Sequence, residues 1–89
     1  MNTIILKTRL WFCSGTSDKV YIVELIKTVS GNFMLRAEWG RRGKSMQSQV
    51  KGVYASSLGS GEWEAKRAFH GLVGEKTQKG YQIVEEVRV

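Results

Sequence analysis

Apolar and polar positions alternate with a period of two over most of this chain, and only one stretch follows a helical period. Ile4 to Phe12 reads as a first strand, closed by the turn cluster Ser14-Gly15-Thr16-Ser17-Asp18, whose small polar residues favour chain reversal. From Val20 to Lys27 both alternating sets are apolar, Tyr21, Val23 and Leu25 against Val20, Ile22 and Ile26, the pattern of a strand paired centrally or covered on both faces. Only Glu24 interrupts it. Ser30-Gly31-Asn32 supplies a tight turn, and Phe33 to Trp39 then alternates cleanly, with Phe33, Leu35, Ala37 and Trp39 on one face. Gln47 to Tyr54 is extended but polar, as an edge strand is.

The segment from Ser56 to Gly61 introduces a helix predicted over Glu62 to Lys79, with Ser60 as its N-cap. Ala65, Ala68, Phe69, Leu72 and Val73 recur at spacings of three and four and form one apolar stripe. Glu62 and Glu64 in the first turn and Lys76 and Lys79 in the last agree with the helix dipole, and Gly80 stands where a left-handed C-terminal cap belongs. Tyr81 to Val89 is a last strand, with Tyr81, Ile83, Val87 and Val89 on one face and Glu85 out of place. These elements predict an α+β fold, a small antiparallel β-sheet with one α-helix packed on one face, as a single domain over residues 1–89.

Composition sharpens the picture only a little. An 89-residue chain with 42% apolar and 25% charged residues has the make-up of a small folded domain rather than a disordered one. Lys7 and Arg9 break the apolar start, and nothing later approaches a membrane span, so the sequence predicts a soluble, cytoplasmic protein without membrane contact. Fourteen basic residues against eight acidic ones give a formal charge of +6, which favours polyanionic partners. The single cysteine, Cys13, excludes an internal disulfide.

Catalytic chemistry finds little to work with. Cys13 and His70 are the sole members of their kinds and no third group marks them as nucleophile and base, so His70 is read as a helix-surface residue. No metal-ligand spacing and no carboxylate pair for acid–base work is present, and no cofactor, metal or enzymatic activity is expected. Gly43-Lys44-Ser45 fails as a phosphate-binding loop, because the glycine required five residues before Gly43 is Glu38 and the turn joins two strands instead of a strand and a helix.

The turn itself, Glu38-Trp39-Gly40-Arg41-Arg42-Gly43-Lys44, holds more aromatic and cationic character than a reversal requires. Two readings of it stand side by side. An aromatic ring next to guanidinium and ammonium groups stacks on a sugar or base while the cations hold phosphates, and the glycines let a backbone come close. Alternatively, Trp39 completes the core with Phe33 and Leu35, and Arg41, Arg42 and Lys44 are a solvated tip. Trp11 and Trp63 are read as packing residues, and Lys51, Lys66 and Arg67 extend a basic surface.

The triplet Trp39-Gly40-Arg41 makes the chain resemble a WGR domain. The strand Val20-Tyr21-Ile22-Val23-Glu24-Leu25 is similar to the family's opening strand, Gly43 and Gln47 fall in the motif's tail, and the helix closes with Phe69 and Glu75-Lys76-Thr77-Gln78-Lys79-Gly80-Tyr81 as the family's helix does. WGR domains stand beside the catalytic domains of poly(ADP-ribose) polymerases, in proteins similar to a molybdate metabolism regulator, and as short bacterial proteins. This chain resembles the last group and leaves no room for a transferase domain. In the polymerases the tryptophan packs on the terminal sugar of a DNA end, and the arginine engages the strand end and neighbouring domains. The resemblance assigns those roles to Trp39 and Arg41; with Gly40 between them, the cations of the turn and its surroundings, Lys44 and Lys19, are read as further contacts to the DNA backbone. Met46 replaces a second turn glycine common in the family, and Asp18 stands before Lys19 where DNA-binding members present an asparagine. The function expected is a non-catalytic nucleic-acid-binding module, for DNA ends or breaks; the alternative is a protein-interaction or regulatory module that sets the same turn against an acidic partner.

Overall fold

The computed structural model describes residues 2–55 and 61–88. Four strands run in antiparallel succession, β1 (Thr3–Ser14), β2 (Ser17–Lys27), β3 (Phe33–Arg41) and β4 (Gln47–Tyr54), followed by the helix α1 (Gly61–Gln78) and a last strand β5 (Gln82–Arg88). The sheet order is β4-β3-β2-β1-β5, so the strand with two apolar faces is the central one. This is the expected α+β sheet with one helix against it. The N-cap expected at Ser60 lies outside the described residues.

Helix α1 packs across β2, β3 and β4. Its stripe is real: Ala65, Phe69 and Val73 are buried, with Ala68 and Leu72 partly buried beside them, against Leu10, Tyr21, Val23, Leu25, Phe33, Leu35 and Ala37 of the sheet. On the other face Glu24, the residue that broke the apolar run of β2, is only 4% exposed. Arg36 makes that burial tolerable, since its Nη1 donates to Glu24 Oε1 at 3.1 Å and lies 3.2 Å from Glu38 Oε1. His70 is exposed, as expected, and so is Trp63, 63% exposed beneath the Arg67 guanidinium; the reading of Trp63 as a packing residue is thus corrected, because its position in the first turn lies off the buried stripe.

Glycines fix the reversals where the backbone must turn left-handed. Gly15, at φ +59, opens the two-residue link between the paired Ser14 and Ser17, the position a type II′ hairpin reserves for glycine. At the end of α1 the Gly80 amide donates to Thr77 O and the Tyr81 amide to Lys76 O, both at 3.1 Å, with Gly80 at φ +103. That pair of bonds is a Schellman cap, and it delivers Tyr81 onto the sheet. Gly80→Ala should lower stability by about 1–2 kcal/mol, the cost of a left-handed non-glycine residue, aggravated by a Cβ 3.0 Å from the Phe12 ring. Chemical denaturation reads this directly, and an unchanged midpoint would mean that the cap relaxes without cost.

Each outer strand carries one unpaired residue. In β4 the register steps from Val50 opposite Arg36 to Gly52 opposite Leu35, leaving Lys51 as a bulge; in β5 it steps from Ile83 opposite Leu10 to Glu85 opposite Arg9, leaving Val84. The second bulge corrects the sequence reading of β5. Ile83 and Val87 do not share a face, because the extra residue inverts the alternation, and Glu85 is in place beside Arg9 at 3.7 Å. Bulges also twist exposed edges away from strand-to-strand aggregation.

Candidate nucleic-acid interface

The start of β2 and the end of β3 meet at one end of the sheet, where Lys19 pairs with Arg41, Val20 with Gly40 and Tyr21 with Trp39. Tyr21, 5% exposed, belongs to the core. Trp39 lies on it, with ring centroids 6.1 Å apart and planes 20° apart, and is half-buried. Tyr81, brought in by the helix cap, meets Tyr21 edge-on at 6.1 Å and packs on Phe12 at 5.4 Å. The result is an aromatic floor running from Phe12 to Trp39, anchored in the core at one side and open at the other.

Cations stand over that floor. The Lys51 ammonium is 5.2 Å from the centre of the Trp39 ring, and the Lys76 ammonium 4.4 Å from that of Tyr21. Burial pulls Lys76 below the ordinary lysine range, and Lys79 and Lys51 act in the same direction against Glu75. Burial raises the Tyr21 phenol in turn, helped by Glu75 and Tyr81, so its hydroxyl stays neutral. Among the described residues none of Lys19, Arg41, Lys51 or Lys76 has a carboxylate within ion-pair distance. Arg41 is held by a neutral acceptor, its Nη2 donating to Thr16 O at 3.0 Å. Cations that are not locked in ion pairs keep their attraction for an anion arriving from solution.

Two adjoining clefts open here, and Trp39 and Tyr81 line both. The larger, about 370 Å³, also takes Asp18, Lys19, Gly40 and Arg41; the smaller, about 190 Å³, takes Tyr21, Lys51 and Lys76. The fold therefore gathers Trp39, Gly40, Arg41 and Lys19 round one cleft. Lys44 does not line it, but sits at the turn's tip, where its amide donates to Arg41 O at 3.0 Å across Gly43 at φ +81. Gly40 has a local reason to be glycine: a Cβ there would come within 3.2 Å of the Met46 Cα and the Ser45 carbonyl, where the returning limb passes over it.

Asp18, which stands where DNA-binding members of the family present an asparagine, is already engaged. Its Oδ1 accepts from Trp11 Nε1 at 2.6 Å, and its Oδ2 from Arg42 Nε at 3.2 Å. Sequence reasoning missed Tyr21, Tyr81, Lys76 and the placement of Lys51. The paired aromatics could be guessed from two-residue periodicity, but Lys76 is 37 positions from Trp39 and Lys51 reaches the ring from a bulge.

Among the described residues no three His, Cys, Asp or Glu side chains gather as a metal site, and no helix is long and apolar enough to cross a membrane. The family model described as WGR domain matches residues 7–88. No curated protein and no solved structure matches the chain.

Proposed function

Since the chain belongs to the WGR family, with the match covering nearly its whole length, we propose that it acts without catalysis as a DNA-binding module, inside the cell, that engages strand ends or breaks. WGR domains are a nucleic-acid-binding module type and in general non-catalytic. The observation that carries the reading to this chain is the half-buried Trp39 ring, fixed from behind by Tyr21 and rimmed by four cations without ion-pair partners among the described residues. The part of that ring left open beside Tyr21 and the Lys51 ammonium is what it offers to a terminal sugar or base, which continuous duplex does not expose. Lys19, Arg41, Lys51 and Lys76 then take the flanking phosphates, with Lys44 adding charge at the turn's tip.

Binding should be strongest at low ionic strength and fall as salt rises, because the counterions displaced from the DNA then enter a more concentrated solution and gain less entropy. With each phosphate contact adding about 0.9 to the log–log slope, the four rim cations set a slope of at most about 4. Replacing Arg41 by Gln should lower that slope by about one and weaken every DNA form alike. Titration of labelled duplexes with blunt, nicked and closed ends tests the reading. If none binds at low salt, the turn is left to an acidic protein partner.

A further inference from the structure

Arg41 and Arg42 are consecutive, yet they serve opposite faces of the sheet end. Arg41 stands with Trp39, Tyr21 and Lys19 on the helix side. Arg42 lies over Trp11, its Cζ 4.7 Å from the ring centroid, and Trp11 pairs with Val20 in the register that faces away from the helix. One carboxylate builds this second arrangement. Asp18 takes the indole N–H on one oxygen and the Arg42 Nε on the other, while its backbone carbonyl accepts the Arg42 amide at 2.9 Å. The guanidinium is thereby fixed on the indole at both its root and its head. The Arg42 side chain nevertheless remains 59% exposed, so the side turned away from Trp11 meets solvent.

Around it opens a cleft of about 270 Å³, with Arg9 at one side and Val20 and Val84 as aliphatic walls. Its electrostatics differ from those of the Trp39 side. Arg42 is paired with Asp18 at 3.2 Å and Arg9 lies 3.7 Å from Glu85, so each cation already has a carboxylate beside it and draws a phosphate less strongly than an unpaired one. What remains is a planar, polarizable surface with N–H donors at its edge, suited to an uncharged ring that carries acceptors on its own edge. A nucleobase has that chemistry, and guanidinium planes stack on bases that lie outside a duplex. Val20 lines this cleft and the larger Trp39 cleft as well, so the two adjoin at the end of the sheet.

We propose that Trp11 and Arg42 form a stacking platform for an unpaired nucleobase, so that a DNA end with a single-stranded overhang is held on both faces of the sheet. The inference rests on the nucleic-acid reading of the Trp39 site and adds to it a preference among ends. Neither charge nor Trp39 alone would produce that preference.

The test compares one duplex as a blunt end, with a short overhang of either polarity, and with the same overhang made abasic, against the wild-type protein, Arg42→Lys and Arg42→Ala. Wild type should bind one overhang polarity roughly five- to one-hundred-fold more tightly than the blunt end, the range that base stacking supplies. The abasic overhang should lose the gain, as should both variants, with blunt-end affinity kept within about twofold by the conservative Arg42→Lys. Melting curves on the same samples establish that the variants are folded, and Arg42→Lys retains a charge for Asp18 should Arg42→Ala unfold. Equal binding of blunt and overhanging ends by wild type overturns the platform and leaves the Trp39 site standing. Retention of the gain by the abasic overhang or by Arg42→Lys also overturns it, since phosphate contact or simple charge would then suffice. Failure of wild type to bind any of these DNAs overturns both readings.

Discussion

Phe69→Ala is expected to destabilise the protein by about 3–5 kcal/mol, the upper part of the range for large-to-small core changes. Three observations place it there. The ring is 2% exposed, it belongs to the stripe by which α1 meets the sheet, and that sheet is a hydrogen-bonded surface that cannot fold inward to fill the space. Ala65 above and Val73 below are too small to take over its contacts. A domain of this size has only about 5–15 kcal/mol to lose, so the variant should melt roughly 15–30 °C lower or be unfolded at room temperature. Urea unfolding followed by circular dichroism measures it. A loss below about 1 kcal/mol would mean that the helix is held to the sheet by something other than this stripe.

Trp39→Ala should separate two jobs that the sequence left tangled. The ring packs on Tyr21 at the margin of the core and also lines both clefts, so it is at once a structural and a contact residue. Being half-buried, it should contribute less to stability than Phe69 does. Its expected binding effect is larger: loss of about 1–3 kcal/mol on DNA ends, at least roughly fivefold in affinity, and disappearance of the preference for ends over closed duplex. Arg41→Gln, by contrast, should weaken all forms together. Melting and binding measured on one sample decide the matter. A Trp39→Ala protein that melts like wild type and still prefers ends would remove the role given to the ring, and one that only unfolds would return it to the core.

Other residues show why part of the site was hidden. Asp18 shows in the sequence only as a departure from the family's asparagine; its partners Trp11 and Arg42 come from the preceding strand and the far turn, and only their convergence shows it paired. Val84 was assigned to an alternating strand, yet the pairing with β1 leaves it unpaired, and every later residue of β5 changes face. Nothing in the local composition of Gln82–Arg88 announces this, because a bulge is a property of two strands in register and not of one.

Features that depend on neighbours along the chain are legible in the amino-acid pattern. The period-two runs made strands, the spacing of Ala65, Phe69 and Val73 made a one-sided helix, and Gly15 and Gly80 marked backbone turns that other residues adopt only under strain. The two-faced apolar run from Val20 to Leu25 even announced the central strand. Tertiary structure alone decided the rest. Tyr81 and Lys76 come to lie with Tyr21 and Trp39, Lys51 is turned over the indole by a bulge, and adjacent arginines are parted between two faces. Those outcomes follow from strand order, register and helix docking, which are settled by burying one common core among segments far apart in the chain, and no local pattern carries that information.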